Sequence, residues 1–384
     1  MPKPRCREGA VSAATAAPPS SSSSPSSSSA TPAAAAAAAA GPLFKPRWQD
    51  HPLVAWALEN GTIVTLAKLR IAMGEAPYCF SAHAFPKTFL HALAGALLVI
   101  EGSIGAQHLL IHHVYAHRPF FTEASRRRAE HTPWQTQLSD WLRCNLPVHF
   151  FGAALYATIF TRLLTREQVL THLSKTTRRQ PFRLGPFLGR LAVVRVVADG
   201  VFYGVHRLLH TPPLYRLLHK RHHEHLQTAL PTNFHFTVTD LLLEGFVPFF
   251  AGLSALERLE GQVCSPFEHF LLIAYIQWYE IGSHSGKSVP TVTYFPPLAP
   301  LYQAALRWLG GGWLPSGSSP NGRGLTGEGG TMARSVDARN VAFHDDHHRL
   351  SRGNYGITQW IDYLLGTNAR PSSARARKSA DDNH

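Results

Sequence analysis

Residues 206–225 read HRLLHTPPLYRLLHKRHHEH and hold six histidines, and residues 344–348 read HDDHH. His206 and His210 are four apart, so on a helix their rings project from one face one turn apart and can share a metal ion. His219, His222 and His223 have offsets of zero, three and four, and His344, His347 and His348 repeat them. On a helix each of these triplets also occupies one face. With 23 histidines in 384 residues, an HxxHH match arises by chance about 0.1 times in the chain, so two copies mark a site. Imidazole binds iron, zinc, copper or nickel. These eight rings exceed the four ligands of a tetrahedral zinc and suit two metals.

The other histidines carry other readings. His91, His149, His172 and His269 stand alone in apolar surroundings and are expected to be hydrogen-bonded core residues. His108, His112, His113 and His117, in HLLIHHVYAH, lack the HxxHH form and fit a helix end beside a membrane surface, where ring tips reach water. His225 and His235 lie close to the second cluster and are expected to orient the ligands.

The elements that must position these rings are predicted to be helices, because no stretch alternates with period two for long. Apolar segments cover 88–111, 146–164, 187–205, 241–256 and 267–282. None has twenty uninterrupted apolar residues, but five such segments are more than one soluble core needs, and ionisable residues inside them, such as Glu101 and Asp199, tend to mark function. The predicted fold class is therefore all-α: an integral-membrane helical bundle with a cytosolic cap built from the histidine clusters. Both clusters must meet on one side, so 241–256 and 267–282 are expected to form an in-and-out hairpin. Segment 146–164 has basic residues on both sides and is expected to re-enter or to pair with another crossing.

Residues 1–45 are rich in Ala, Ser and Pro, with eight alanines at 33–40, and are expected to be a disordered tail; a plastid transit peptide shares that composition. The folded domain is placed at 46–368, interrupted by a flexible Gly-rich loop at 310–330, with a polar tail at 369–384. Lys plus Arg number 37 against 24 Asp plus Glu, for a net charge of +13. The basic residues sit in short runs, such as Arg126–Arg128, between apolar segments, as in loops beside a bilayer. No nucleic-acid-binding signature is present. Cys6, Cys79, Cys144 and Cys264 are far apart and form neither a CxxC motif nor a disulfide framework.

The stretch HRLLHTPPLYRLLHKRHH resembles the first two histidine boxes of the fatty acid hydroxylase / sterol desaturase superfamily of membrane di-iron enzymes. HDDHHRLSRGNYGITQWIDYLLGT resembles the third box with its Asn354-Tyr355-Gly356, Trp360, Asp362 and Gly366-Thr367. YEIGSHSGKSVP resembles the segment around a further histidine in sterol C-4 methyl oxidases, which puts His284 on that position. The resemblance covers about 190–368. PTNFHFTVTDLLLEG departs from the His-Pro segment that often comes after the second box, and the loop at 310–330 is longer and richer in glycine than in the family.

The resemblance implies a nine-residue metal set of His206, His210, His219, His222, His223, His284, His344, His347 and His348. These would hold two iron ions, for which zinc can substitute, with O2 as co-substrate and no catalytic residue beyond the ligands. It implies a membrane lipid as substrate, a sterol oxidised at the C-4 methyl foremost; fatty-acyl hydroxylation or sterol desaturation are alternatives at the same site. It further implies cytochrome b5 and its reductase as electron donors, and a multi-pass place in the endoplasmic-reticulum membrane, a plastid membrane being the lesser option. The non-enzyme reading is a histidine-rich membrane metal-binding or transport protein.

Overall fold

The computed structural model describes residues 47–72, 85–158, 182–260, 266–287, 289, 295–301, 304 and 336–369. The expected tail at 1–45, the loop at 310–330, His172, the side chain of His91 and residues 370–384 lie outside the described set. The described elements are helical: α1 (Pro52–Ala72), α2 (Phe85–Leu109), α3 (Glu123–His131), α4 (Trp134–Asp140), α5 (Leu146–Thr158), α6 (Leu184–Leu209), α7 (Val247–Glu260), α8 (Pro266–Ser283), α9 (Val336–Leu350) and α10 (Gln359–Leu365). Among the described residues the one β-bridge is isolated, between Phe120 and Lys287. The protein has an all-α membrane fold, and two stretches, Leu93–Val114 and Val238–Glu260, are helices long and apolar enough to cross a bilayer.

The core lies where α6, α7 and α8 meet α1 and α2. Phe187, Leu191 and Val194 of α6 pack with Leu253 and Leu256 of α7 and with Phe270, Tyr275 and Trp278 of α8. Gly252 sets the α6–α7 approach, because a Cβ there would lie 2.7 Å from the Val194 carbonyl oxygen. A buried polar network ties α1 to α8. Trp278 Nε1 donates to Glu59 Oε2 at 2.8 Å, and the Tyr275 hydroxyl donates to Asn60 Oδ1 at 2.7 Å. Such groups stay buried because each has a partner.

Among the described residues four π turns interrupt the helices: Leu110–Val114, Trp141–Asn145, Tyr215–His219 and Leu242–Phe246. A π turn carries one extra residue and re-aims the side chains beyond it. The third ends on His219 and the fourth contains Glu244, and the two side chains meet at 3.6 Å. The basic run Arg126–Arg128, expected in a loop, instead lies in α3, capped by Thr122, whose Oγ1 accepts from Ser125 N at 3.0 Å. Arg126 is paired there with Glu123 and Glu130, and Arg128 Nη1 donates to the Gln227 carbonyl at 2.5 Å. The run has become helical because its acid partners fall at offsets of three and four.

Candidate metal centre

All nine histidines converge, in two adjoining groups. His206, His210, His219, His223 and His347 form one, and His222, His284, His344 and His348 form the other. Within each group the available ring nitrogens lie within 4.8 Å of one another. The triplets do not serve one metal position each, as their offsets on single helix faces would suggest. His219 and His223 turn to the five-histidine group and His222 to the four-histidine group. His347 joins the five, while His344 and His348 join the four. The reason is local. Adjacent residues diverge by about 100° on a helix, and the second triplet runs through a π turn into the 3-10 turn His222–Glu224 rather than along one α-helix.

Backbone carbonyls fix most of the rings. His206 Nδ1 donates to Tyr355 O at 2.9 Å, His284 Nδ1 to Glu280 O at 3.0 Å, His347 Nδ1 to Gly353 O at 2.8 Å and His348 Nδ1 to His225 O at 3.0 Å. His219 Nδ1 donates to Asp240 Oδ1 at 2.9 Å. A carbonyl can only accept, so in these neutral rings the single proton sits on Nδ1 and Nε2 keeps its lone pair. His222 has no such anchor. Its Nδ1 is buried without a partner, and its ring stacks on Phe236 at 4.0 Å.

The Nε2 atoms face each other across short gaps: His344–His284 at 2.8 Å, His347–His223 at 3.1 Å, His210–His347 at 3.1 Å and His348–His344 at 3.2 Å. Two lone pairs that close repel unless a positive charge lies between them. Ligand nitrogens about 2.0–2.1 Å from one metal sit about 3 Å apart, which matches these gaps. His206 Nε2 and His219 Nε2 are buried and have no hydrogen-bond partner. Burial holds the rings neutral: His347 falls to about 3, His210 and His284 to about 4, and His222, His223, His344 and His348 well below the ordinary imidazole value, for the last four aided by repulsion from neighbouring rings. Neutral, buried, inward-facing imidazoles fit the requirements of a pair of transition-metal ions.

Several residues support the site from outside the two groups. Asp199 of α6 accepts from Ile357 N and Trp360 Nε1, both at 2.8 Å, and from the Thr358 hydroxyl. Asp362 accepts from Tyr355 N at 2.9 Å and Gly356 N at 2.7 Å. Together they hold the loop whose carbonyls receive the His347 and His206 protons, which gives the Asn-Tyr-Gly and Trp-x-Asp pattern its physical meaning. Asp345 accepts from Thr228 N at 2.7 Å, locking the last cluster to the turn after the second. Gly286, at φ 65, lies against the Thr228 carbonyl and leaves no room for a Cβ, so His284-Ser-Gly needs its glycine. The usable signal was an aspartate set inside an apolar or tightly turning stretch.

His225 supports the site through its carbonyl, and its ring stacks on His235 at 4.3 Å, while His235 bridges Asp140 and Glu224. His108, His112, His113 and His117 join neither group. His117 pairs with Asp50 at 2.7 Å. His149 is hydrogen-bonded to Glu101 at 2.7 Å, as expected of a core histidine, and His269 is buried.

Both His149 and His269 also line a cavity of about 220 Å³ with mostly apolar walls, among them Ile100, Phe202, Phe246, Phe249 and Ile276. His222, His284 and His344 form part of the same wall, so the four-histidine group opens onto it. One face of α8 borders the cavity from His269 to His284, a rise of roughly 22 Å at 1.5 Å per residue.

Residues 191–307 match the fatty acid hydroxylase family, which agrees with the resemblance carried by the histidine boxes. The chain is also similar to Methylsterol monooxygenase 2-1 of Arabidopsis thaliana, at 27% identity over 188 residues. The alignment takes in 48% of this chain and spans only 57% of the relative's length. No solved structure matches the chain significantly.

Proposed function

We propose that the protein is an O2-dependent oxidoreductase of membrane lipids, with a pair of iron ions held by the nine histidines, and that it hydroxylates a sterol, the C-4 methyl being the favoured position. The observation that carries this reading is the opening of the four-histidine group onto a long apolar cavity. Iron bound there supplies O2 activation and the oxidising power that an unactivated C–H bond requires, which amino-acid side chains lack.

The remaining work belongs to the chain. The Tyr355, Gly353, Glu280 and His225 carbonyls, with Asp240, hold rings so that Nε2 faces the metals. Phe202, Phe246 and the α8 face bind and align an apolar substrate and keep water from the oxidation site. The exposed cationic side chains give an acidic electron donor such as cytochrome b5, served by its reductase, a surface to approach. Those donors act from the cytosol, so the histidine cap faces that side of an endoplasmic-reticulum membrane. Fatty-acyl hydroxylation or sterol desaturation use the same site. A metal-carrier role leaves the cavity without a task.

The test is turnover. Membranes holding the full chain, given reduced pyridine nucleotide and O2, should convert a 4-methyl sterol, and cells lacking the protein should accumulate that precursor. Conversion only of acyl lipids would move the assignment within the family. Metal uptake with no O2-dependent product from any lipid would end the enzyme reading.

A further inference from the structure

Glu244 stands between the five-histidine group and the cavity. Its side chain is 7% exposed, and its Oε1 has no hydrogen-bond partner and lies 3.5 Å from His206 Nε2. His206 is 1% exposed, its Nε2 is likewise unpartnered, and its proton is committed on the other side of the ring to the Tyr355 carbonyl. A carboxyl oxygen and an imidazole lone pair therefore face each other out of water. His219 offers no relief. Its Nδ1 lies 3.6 Å from Glu244 Oε1 but 2.9 Å from Asp240 Oδ1, and its one proton goes to the nearer acid. Buried acceptors opposed in this way require a proton or a metal cation between them.

We infer that Glu244 supplies a carboxylate ligand to the five-histidine group, making it a mixed nitrogen–oxygen centre beside an all-nitrogen one. This rests on the two-metal reading above and adds an oxygen donor to it. The geometry agrees, since carboxylate oxygen and imidazole nitrogen each bind at about 2.0–2.2 Å and so lie about 3–3.5 Å apart on one metal. Glu244 is carried into place by the π turn Leu242–Phe246, in a helix whose first turn is capped by Thr237. Asp240 and Glu244, four residues apart, thus divide the work: Asp240 orients His219, and Glu244 binds. Glu244 also lines the cavity, which none of the five histidines does. It gives that centre its contact with the substrate space.

The experiment uses the full chain in detergent, loaded anaerobically with iron-57(II). Wild-type protein should show two distinct Mössbauer doublets of equal area. In Glu244→Gln one doublet should change while the other stays, and a chelator should remove one iron at least about tenfold more readily. Glu244→Asp, which keeps the carboxylate, should retain both irons with only the same doublet perturbed. Spectra and retention identical to wild type in both variants would overturn the inference and make Glu244 a protonated acid of the cavity wall. If Glu244→Gln loses both irons, Glu244→Asp decides: two retained irons support ligation, and two lost irons reject it. Wild-type protein that binds fewer than two irons would instead sink the two-metal reading from which the inference starts.

Discussion

The two histidine groups are built from the same residue type and share two clusters, yet their surroundings differ. The five-histidine group is backed by Asp240 and Glu244, and its rings are walled off from the cavity. The four-histidine group leans instead on the Glu280 and His225 carbonyls and presents His222, His284 and His344 to an apolar wall. The contrast separates a group flanked by acids from a group whose rings line the apolar cavity. Ring count alone would not have revealed it.

The largest effect should come from removing a ring from either group. His347→Ala or His210→Ala on one side and His344→Ala on the other should each abolish lipid turnover, by more than about 10²-fold, and each should leave roughly one iron bound. Only His344→Ala should also weaken lipid binding, because only that ring borders the cavity; equal lipid binding in all three would erase the proposed contrast. Asp240→Asn should lower metal affinity about 10–100-fold in the five-histidine group alone, as read by stepwise chelator titration. A comparable loss from both groups would show that they load as a unit.

Acid should act on the metal-free protein through the same rings. His347, His210 and His284 are neutral in the fold, with values lowered to about 3 to 4, whereas the unfolded chain protonates near 6.5. The unfolded state therefore binds more protons below about pH 6.5. Stability is full above that value and is lost as pH falls toward 4, by about 1.4 kcal/mol per pH unit for each ring that stays neutral. Thermal melts of metal-free protein between pH 7 and 5 should show the midpoint falling; a flat profile would mean that the rings are not buried without metal. The smallest effect is expected at His113, which is exposed and belongs to neither group. His113→Ala should leave turnover unchanged and shift stability by less than about 0.5 kcal/mol.

The sequence announced the ligand residues better than their arrangement. Eight of the nine rings stand out from spacing alone, while His284, a single histidine, was found only by family resemblance. What spacing could not convey is which metal position each ring serves, because that depends on the turns at Tyr215–His219 and His222–Glu224. The acids were harder still. Asp240 and Glu244 look like ordinary surface residues in a linear reading, and their meaning comes from burial beside rings distant in the chain. The cavity was not legible at all, since its walls draw on α2, α5, α6, α7 and α8 together.

His222 and His223 are neighbours along the chain and go to different groups, and so do His347 and His348. In both pairs the ring centroids are 5.9 Å apart. Covalent geometry fixes successive Cα atoms 3.8 Å apart across a trans peptide. Each pair thus works as a ruler laid between the two positions, one cut from each half of the cap. The separation of the two groups cannot widen by sliding one helix past another; it changes when the adjacent pairs turn their rings. The distance between the two groups is thus set by the backbone.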